Sequence, residues 1–167
     1  MALGNDGHEG KRTTAAYAYS PDGLRVSKTV NGETTTNILD RANVVADIQG
    51  TSISKYNCGL DLISMEQNGQ KGYYVFNAHG DVVQMRNASG EQVYRRQYDT
   101  FGVEMANYDE TNQFTNPFGY AGEYTDEESG NIYLCAKYYD PGIGRFVRVD
   151  PVKDGTNWNA YCSNNSC

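Results

Sequence analysis

The sequence predicts an all-β protein, a twisted antiparallel ribbon of β-hairpins with at most one short helix near the C-terminus. Three observations lead to this prediction. Residues 131–151 alternate in the manner of strands and are rich in aromatic side chains. Turn-forming residues recur about every 20 residues, as in a repeat architecture. Hydrophobic residues make up only 38% of the chain and 14 residues are tyrosine, a composition that suits sheets with half-exposed faces and a thin core.

The stretch 131–151 contains the clearest strand pattern. Alternation runs from residue 131 to residue 139, which predicts one strand. Residues 140–144 are predicted to form a tight turn, because proline presets φ and glycine tolerates positive φ. A second alternating run at 145–149 returns from that turn, and Asp150-Pro151 ends it because proline donates no ladder hydrogen bond.

Two alternating series of turns divide the preceding chain into hairpins. In the first series, the last residue of each turn is expected at positive φ, with Asn43 replacing glycine in one copy. The second series contains Asn-Gly pairs, a strong signal for a two-residue hairpin turn. The first series comprises 19–23, 39–43, 56–59, 76–80 and 98–102, and the second comprises Asn31-Gly32, Gln49-Gly50, Asn68-Gly69 and Ser89-Gly90.

Aspartates in the first series follow tyrosine in Tyr98-Asp99 and, further on, in Tyr139-Asp140. Ser20 and Asn77 occupy the corresponding positions of other copies. All three residue types can cap a bend by accepting backbone N–H groups. We therefore expect these residues to shape turns.

The chain divides into five predicted segments. A flexible segment covers 1–13, hairpin repeats cover 14–107, a polar loop covers 108–117, and terminal hairpins cover 118–151. Phe118-Gly119-Tyr120 is expected to start a strand. The acidic run 126–130 is interpreted as a solvated turn, with a paired-carboxylate site as the alternative. Residues 152–167 form a truncated end, in which a short helix is predicted around Trp158.

Charge and composition exclude several classes of function. The net charge is −7, which disfavours nucleic-acid binding, and Arg95-Arg96 is interpreted as a solvated strand edge. No window reaches the ~18 apolar residues that a membrane span needs, and the N-terminus lacks a signal-peptide pattern. We predict no cofactor and no metal, because histidines and cysteines lack the spacing of a zinc site. The four cysteines are expected to be free thiols, although three pairings are possible.

The motif YYDPGIGRFVRVDP, preceded by FGYAGEYTDEESGNIYLCAKYY and followed by TNWNAY, resembles the core-associated region of the rearrangement hotspot (Rhs), or YD-repeat, family of bacterial polymorphic toxins. The resemblance implies a partial β-shell built of YD-repeat hairpins. It also implies a secreted or cell-surface protein. Its expected partners are the remainder of the shell and a C-terminal toxin that the shell encloses.

In this family the core-associated region acts as an intramolecular aspartic protease. Such a site needs two carboxylates that share a proton. Asp150 matches the first aspartate of the family, and Arg145 matches the arginine of its Gly-Arg-Phe motif. The second aspartate has no counterpart here, so Asp150 and Arg145 are candidate catalytic residues that we expect to be inactive.

Three functional hypotheses follow from the sequence. The first is a structural shell segment of an Rhs-type toxin, without enzymatic activity. The second is an aspartic self-protease whose partner carboxylate lies elsewhere. The third, weaker hypothesis is a β module that binds glycans or proteins on a surface. A shell segment separated from its neighbours is expected to self-associate, most simply as a dimer, through the edge strand near 14–19, because an unpaired edge recruits other strands.

Overall fold

The computed structural model describes residues 13–108, 114–134 and 137–147, and within them the protein is almost entirely antiparallel β-sheet. One sheet has ten strands in chain order, and a second has four. The first sheet comprises β1 (Ala15–Tyr19), β2 (Arg25–Val30), β3 (Glu33–Asp40), β4 (Asn43–Gln49), β5 (Ser52–Cys58), β6 (Leu62–Gln67), β7 (Gln70–Phe76), β8 (Val82–Asn87), β9 (Gln92–Tyr98) and β10 (Glu104–Tyr108). The second comprises β11 (Tyr124–Asp126), β12 (Asn131–Leu134), β13 (Lys137–Asp140) and β14 (Arg145–Phe146).

The ten-stranded sheet is a meander, in which each strand pairs with its neighbours in sequence. The all-β prediction is therefore confirmed. The predicted helix around Trp158 lies outside the described residues. No helix among those residues is long and apolar enough to cross a membrane.

The first series of turns follows the predicted backbone at three of five positions. Gly23, Gly80 and Gly102 have φ of 80°, 92° and 92°. The prediction was wrong for Asn43, which begins β4. Asp40 pairs with Asn43, so Arg41 is the first loop residue and takes φ of 57° instead.

Gly59 also departs from the prediction, since its φ lies outside the left-handed region. Its N–H donates to the Asp61 carbonyl at 2.8 Å, which closes this turn differently from its equivalents.

The return turns are confirmed where the sequence reads Asn-Gly. Asn31-Gly32 and Asn68-Gly69 have positive φ at both residues, as a type I′ hairpin requires. The return turn predicted at Gln49-Gly50 lies one residue later in the structure. Gln49 pairs with Ser52, so the second return turn consists of residues 50 and 51.

The expected turn-capping role of the aspartates and asparagines is confirmed. Asp99 Oδ1 accepts the backbone N–H groups of Phe101 and Val103, both at 2.9 Å. Asn77 Oδ1 accepts two N–H groups in the same pattern. Asn87 does so as well, and therefore organises the return turn that the sequence analysis assigned to Ser89-Gly90.

The terminal hairpins differ from the prediction in two respects. The single strand expected over 131–139 is instead β12 and β13, which pair antiparallel with Leu134 opposite Lys137. The intervening residues are Cys135 and Ala136, which carry no glycine, proline or asparagine signal. Phe118 to Tyr120 also form no strand: Phe118 makes an isolated bridge with Tyr124, and Tyr120–Gly122 is a 3₁₀ turn.

The main core lies between the two sheets. Met65, Val82 and Met85 are fully buried there. A Cβ added to Gly72 would lie 2.6 Å from Met85 Cε and 3.3 Å from the ring of Phe114, so glycine makes room for both side chains. Phe114 belongs to the segment predicted as a polar loop, yet it is only 5% exposed.

The first strand forms one edge of the large sheet, as expected, since β1 pairs only with β2 among the described strands. The Asn31 N–H donates to the Thr14 carbonyl. Backbone N–H direction alternates along a strand, so the N–H groups of Ala15 and Tyr17 point away from β2. These groups constitute the exposed edge.

We expect the chain to self-associate through this edge in a concentration-dependent manner. Replacing Ala15 with proline should weaken association, because it removes an outward donor without removing a β1–β2 hydrogen bond. Light scattering coupled to size exclusion at several concentrations measures this. A strict monomer, or association unchanged in Ala15→Pro, would contradict the expectation.

Candidate functional site

Of the two predicted catalytic residues, Arg145 lies in the described part of the chain and Asp150 does not. Arg145 begins β14, is exposed, and lies opposite Asp140 in the hairpin register. Asp140 uses its Oδ1 to accept the Gly142 N–H at 2.8 Å, as a turn-capping residue. Asp150 lies outside the described residues.

The most developed polar site instead joins the first hairpin to the terminal sheet. We call it the clasp, and it is formed by Tyr17, Tyr19, Arg25, Lys28, Tyr124, Asp126, Glu128, Tyr133 and Tyr138. Residues on β1 and β2 supply four of these side chains, and β11 to β13 with the 126–130 turn supply the others. The contacts therefore span about 100 residues of sequence.

An ion pair between Arg25 and Asp126 lies at the centre of the clasp. Both side chains are completely inaccessible to solvent, and Arg25 Nη1 donates to Asp126 Oδ2. The guanidinium also lies 4.8 Å from the ring centroid of Tyr124 and 4.5 Å from that of Tyr133. Aromatic faces and one carboxylate together compensate a cation that would otherwise be costly to bury.

Lys28 extends the ion pair into a network. Its Nζ lies 3.2 Å from Asp126 Oδ1 and 3.1 Å from Glu128 Oε2. Tyr17 donates to Glu128 Oε1 at 2.9 Å. The acidic run is therefore not the solvated turn that the sequence analysis favoured, because two of its carboxylates are buried against cations from β2. Nor do these two carboxylates share a proton in the manner of a protease pair, since Lys28 lies between them.

The electrostatics of the clasp reflect its burial. Burial lowers the pKa of Arg25, but the attraction of the Asp126 carboxylate raises it by more. The pKa of Arg25 therefore lies above its ordinary value. Burial raises the pKa of Asp126, although Arg25 and Lys28 act in the opposite direction. For Glu128, burial is outweighed by a backbone hydrogen bond and by Lys28, and the pKa of this carboxyl is lowered.

A second polar node connects the sheets near the middle of the repeats. Asp47 is 8% exposed and accepts hydrogen bonds from three neutral side chains. The Asn37 amide donates at 2.6 Å, and the hydroxyls of Tyr56 and Tyr124 each donate at 2.9 Å. Because Tyr124 belongs to β11, this carboxylate fixes the terminal sheet over β4 and β5.

A third node fixes the 3₁₀ turn against the β7–β8 turn. Asp81 Oδ1 accepts the Ala121 N–H at 2.8 Å, and its other oxygen accepts the Asn77 amide at 2.7 Å. His79 Nδ1 lies 2.8 Å from Asp81, and its ring packs 4.9 Å from that of Tyr120. The arrangement positions backbone and provides no nucleophile.

The pair Arg95-Arg96 lies on β9, which is not an edge strand of the large sheet. Arg96 is only 7% exposed and lies 3.1 Å from Glu104, so the interpretation of Arg95-Arg96 as a solvated edge was wrong for Arg96. β10 covers the edge that β9 would otherwise form.

Cys58 is a free thiol, and the other three cysteines lie outside the described residues. No cluster of potential metal ligands occurs in the part of the chain that the structure describes.

The structure is a meander of hairpins with Asx-capped turns that packs against a tyrosine-rich terminal sheet. This architecture is that of a YD-repeat shell segment. The family model described as Teneurin YD-shell matches residues 42–164. The chain therefore belongs to the YD-shell family, and it is a shell segment of the type found in Rhs toxins.

Known proteins similar to the chain carry this segment as a small part of a longer polypeptide. The tRNA3(Ser)-specific nuclease WapA of Bacillus spizizenii is 36% identical over 162 residues, covering 91% of this chain and 7% of the nuclease. The double-stranded DNA deaminase toxin A of Burkholderia cenocepacia is 26% identical over 178 residues, covering 87% of this chain and 12% of the toxin.

Solved toxin complexes share the fold. The crystal structure of TcdB2-TccC3-Cdc42 superposes with a TM-score of 0.77 at 19% identity, over 91% of this chain and 8% of the other. The Photorhabdus luminescens Tc holotoxin pore gives a TM-score of 0.68 at 20% identity, also over 91% of this chain and 8% of the other.

Sequence reasoning identified the family but missed the clasp. Arg25 follows a turn and begins an ordinary β-run, so nothing local indicates that its side chain is buried. The partial signal is the acidic run itself, because tyrosines both precede and follow it at 124, 133 and 138. Tyrosine faces are the surroundings in which a buried cation is stabilised.

Proposed function

We propose that this chain forms part of the wall of a β-shell that encloses the toxin segment of a longer, secreted or cell-surface bacterial polypeptide. One observation carries the proposal. The same segment occurs in proteins named for different activities, the tRNA nucleases WapA and a DNA deaminase toxin. A segment that occurs in proteins with different activities supplies a function that does not depend on the activity, such as enclosing the toxin segment.

The physical properties of the chain support a structural role. The three polar nodes hold sheet against sheet, and the residues of each node are already paired with one another. The net charge of −7 and pI of about 4.7 disfavour direct contact with a nucleic-acid substrate. The wall would therefore contain the active segment without taking part in its chemistry.

Protease protection tests this function in the native polypeptide that carries the 167 residues. We expect the toxin segment to resist a nonspecific protease while the shell is intact and to be digested after mild denaturant opens the shell. A matched sample of the toxin segment expressed alone should be digested at once. Equal digestion of the segment in both contexts would contradict the proposal.

For the self-protease hypothesis, Asp150 and Arg145 are the candidate residues carried over from the family. We expect the isolated chain not to cut itself, because only one aspartate matches the pair that such chemistry requires. Intact mass measured over time from acidic to neutral pH should show one species. A discrete cut that disappears in Asp150→Asn would contradict this expectation and establish the protease.

A further inference from the structure

A cleft of about 610 Å³ opens beside the turns of the first series. We call it the turn cleft. It lies between three hairpin turns, at 42–44, 58–62 and 76–80, and the segment 118–124, with Tyr133 completing the wall. A concave site that combines aromatic walls with a few polar groups is a typical ligand site.

Glu123 is a partly buried charged side chain of this cleft that has no partner among the described residues. It is half-buried, and burial raises the pKa of its carboxyl. Its backbone groups are bonded to Tyr120 and Gly119, but its carboxylate has no hydrogen bond or ion pair within the described residues. A carboxylate shielded from water in this way is stabilised by any cation that reaches it.

Two other titratable groups of the cleft, Asp81 and His79, are already engaged, whereas Asp61 lies exposed at its rim. Asp81 accepts hydrogen bonds from Ala121 and Asn77, and His79 is held by Asp81 and by the ring of Tyr120. Cys58 is a free thiol whose pKa is raised by burial, so it is not an activated nucleophile. The unpaired charges that the described residues place in the cleft are therefore both negative, the half-buried Glu123 and the exposed Asp61.

Aromatic side chains form much of the remaining wall. Phe76, Phe118, Tyr124 and Tyr133 line the cleft, and Phe118 is fixed by edge-on contacts with Tyr56 at 4.9 Å and Tyr124 at 5.6 Å. Aromatic faces attract cations and pack against the aliphatic stem of lysine or arginine. A free carboxylate beside such walls suits a basic side chain.

Leu60 adds an apolar surface at the mouth of the cleft. Its side chain is completely exposed, with a relative accessibility of 105%. A ligand that reaches Glu123 can cover Leu60 with an apolar residue of its own, and this contact removes apolar surface from water. That feature favours an extended polypeptide over a free amine.

We propose that the turn cleft binds the side chain of a lysine or arginine from an extended polypeptide, with Glu123 as its ion-pair partner and Leu60 packing against an adjacent apolar residue. The acidic character of the whole chain, with a net charge of −7, favours approach of such a basic segment. The site is independent of the shell function proposed above.

Nuclear magnetic resonance titration of the 167-residue chain tests the proposal with a capped Ala-Leu-Arg-Ala peptide. We expect concentration-dependent shifts of the backbone amides of Gly59, Ala78 and Gly122. Glu123→Gln should weaken binding at least about tenfold, since it removes the charge and keeps the shape. Leu60→Ser should weaken the peptide but leave the smaller effect of arginine amide alone unchanged.

Glu127→Gln is the matched control, because Glu127 is a neighbouring exposed acid outside the turn cleft. It should leave the affinity unchanged. Three results would overturn the proposal: equal shifts with a peptide in which glutamine replaces arginine, an affinity unaffected by Glu123→Gln, or shifts centred on the other cleft near Glu33 and Glu128.

Discussion

Asp126→Asn is expected to lower the free energy of unfolding by about 3–5 kcal/mol, since it leaves the buried guanidinium of Arg25 without its countercharge. The asparagine keeps the size of the side chain, so the loss reports charge compensation more than packing. Lys28 loses one of its two carboxylates at the same time. Urea denaturation followed by tyrosine and tryptophan fluorescence measures the change.

Two further variants make the clasp prediction specific. Glu127→Gln lies one residue away, is 71% exposed at its side chain, and should change stability by less than about 0.5 kcal/mol. The double variant Arg25→Met with Asp126→Leu removes both charges and should recover most of the lost stability. If Asp126→Asn cost no more than Glu127→Gln, the clasp would not hold the two sheets together.

Gly102→Ala is expected to cost about 2–5 kcal/mol, the second-largest effect. Gly102 has φ of 92°, which strains any residue with a Cβ by ~1–2 kcal/mol. An added Cβ would also lie 2.7 Å from Tyr120 Cγ. The Tyr120 ring cannot easily move, because its hydroxyl donates to the Thr100 carbonyl at 2.8 Å. Overpacking therefore adds ~1–3 kcal/mol.

Gly90→Ala is the matched control for this clash. Gly90 has φ of 82°, yet its Cβ would meet no heavy atom within 4 Å. It should show the backbone strain alone, about 1–2 kcal/mol. Thermal or urea unfolding of the two variants side by side gives the difference. Equal losses would mean that the β9–β10 turn does not pack against the 3₁₀ turn as described.

Local chemistry made much of the large sheet predictable. Asn31-Gly32 and Asn68-Gly69 determine hairpin register through their own backbone preferences, and Asp99 caps its own turn. Such features depend on residues within a few positions of one another. Between Leu134 and Lys137 the sequence contains no glycine or asparagine signal, so the alternation continued without a break and the prediction merged two strands.

Long-range contacts could not be predicted in the same way. Arg25 and Asp126 are 101 residues apart, and each lies in a segment that reads as ordinary surface. Phe114 lies in a polar stretch, and its burial depends on space left by Gly72 on a distant strand. The candidate site required the arrangement of both sheets, whereas the family could be identified from one contiguous motif.

Cryo-electron microscopy of the native polypeptide that carries these residues tests the central claim most directly. We expect a hollow β-shell in which the ten-stranded meander forms part of the wall, with density for the toxin segment inside. An open sheet with no enclosed space, or a toxin segment folded entirely outside the wall, would contradict the account.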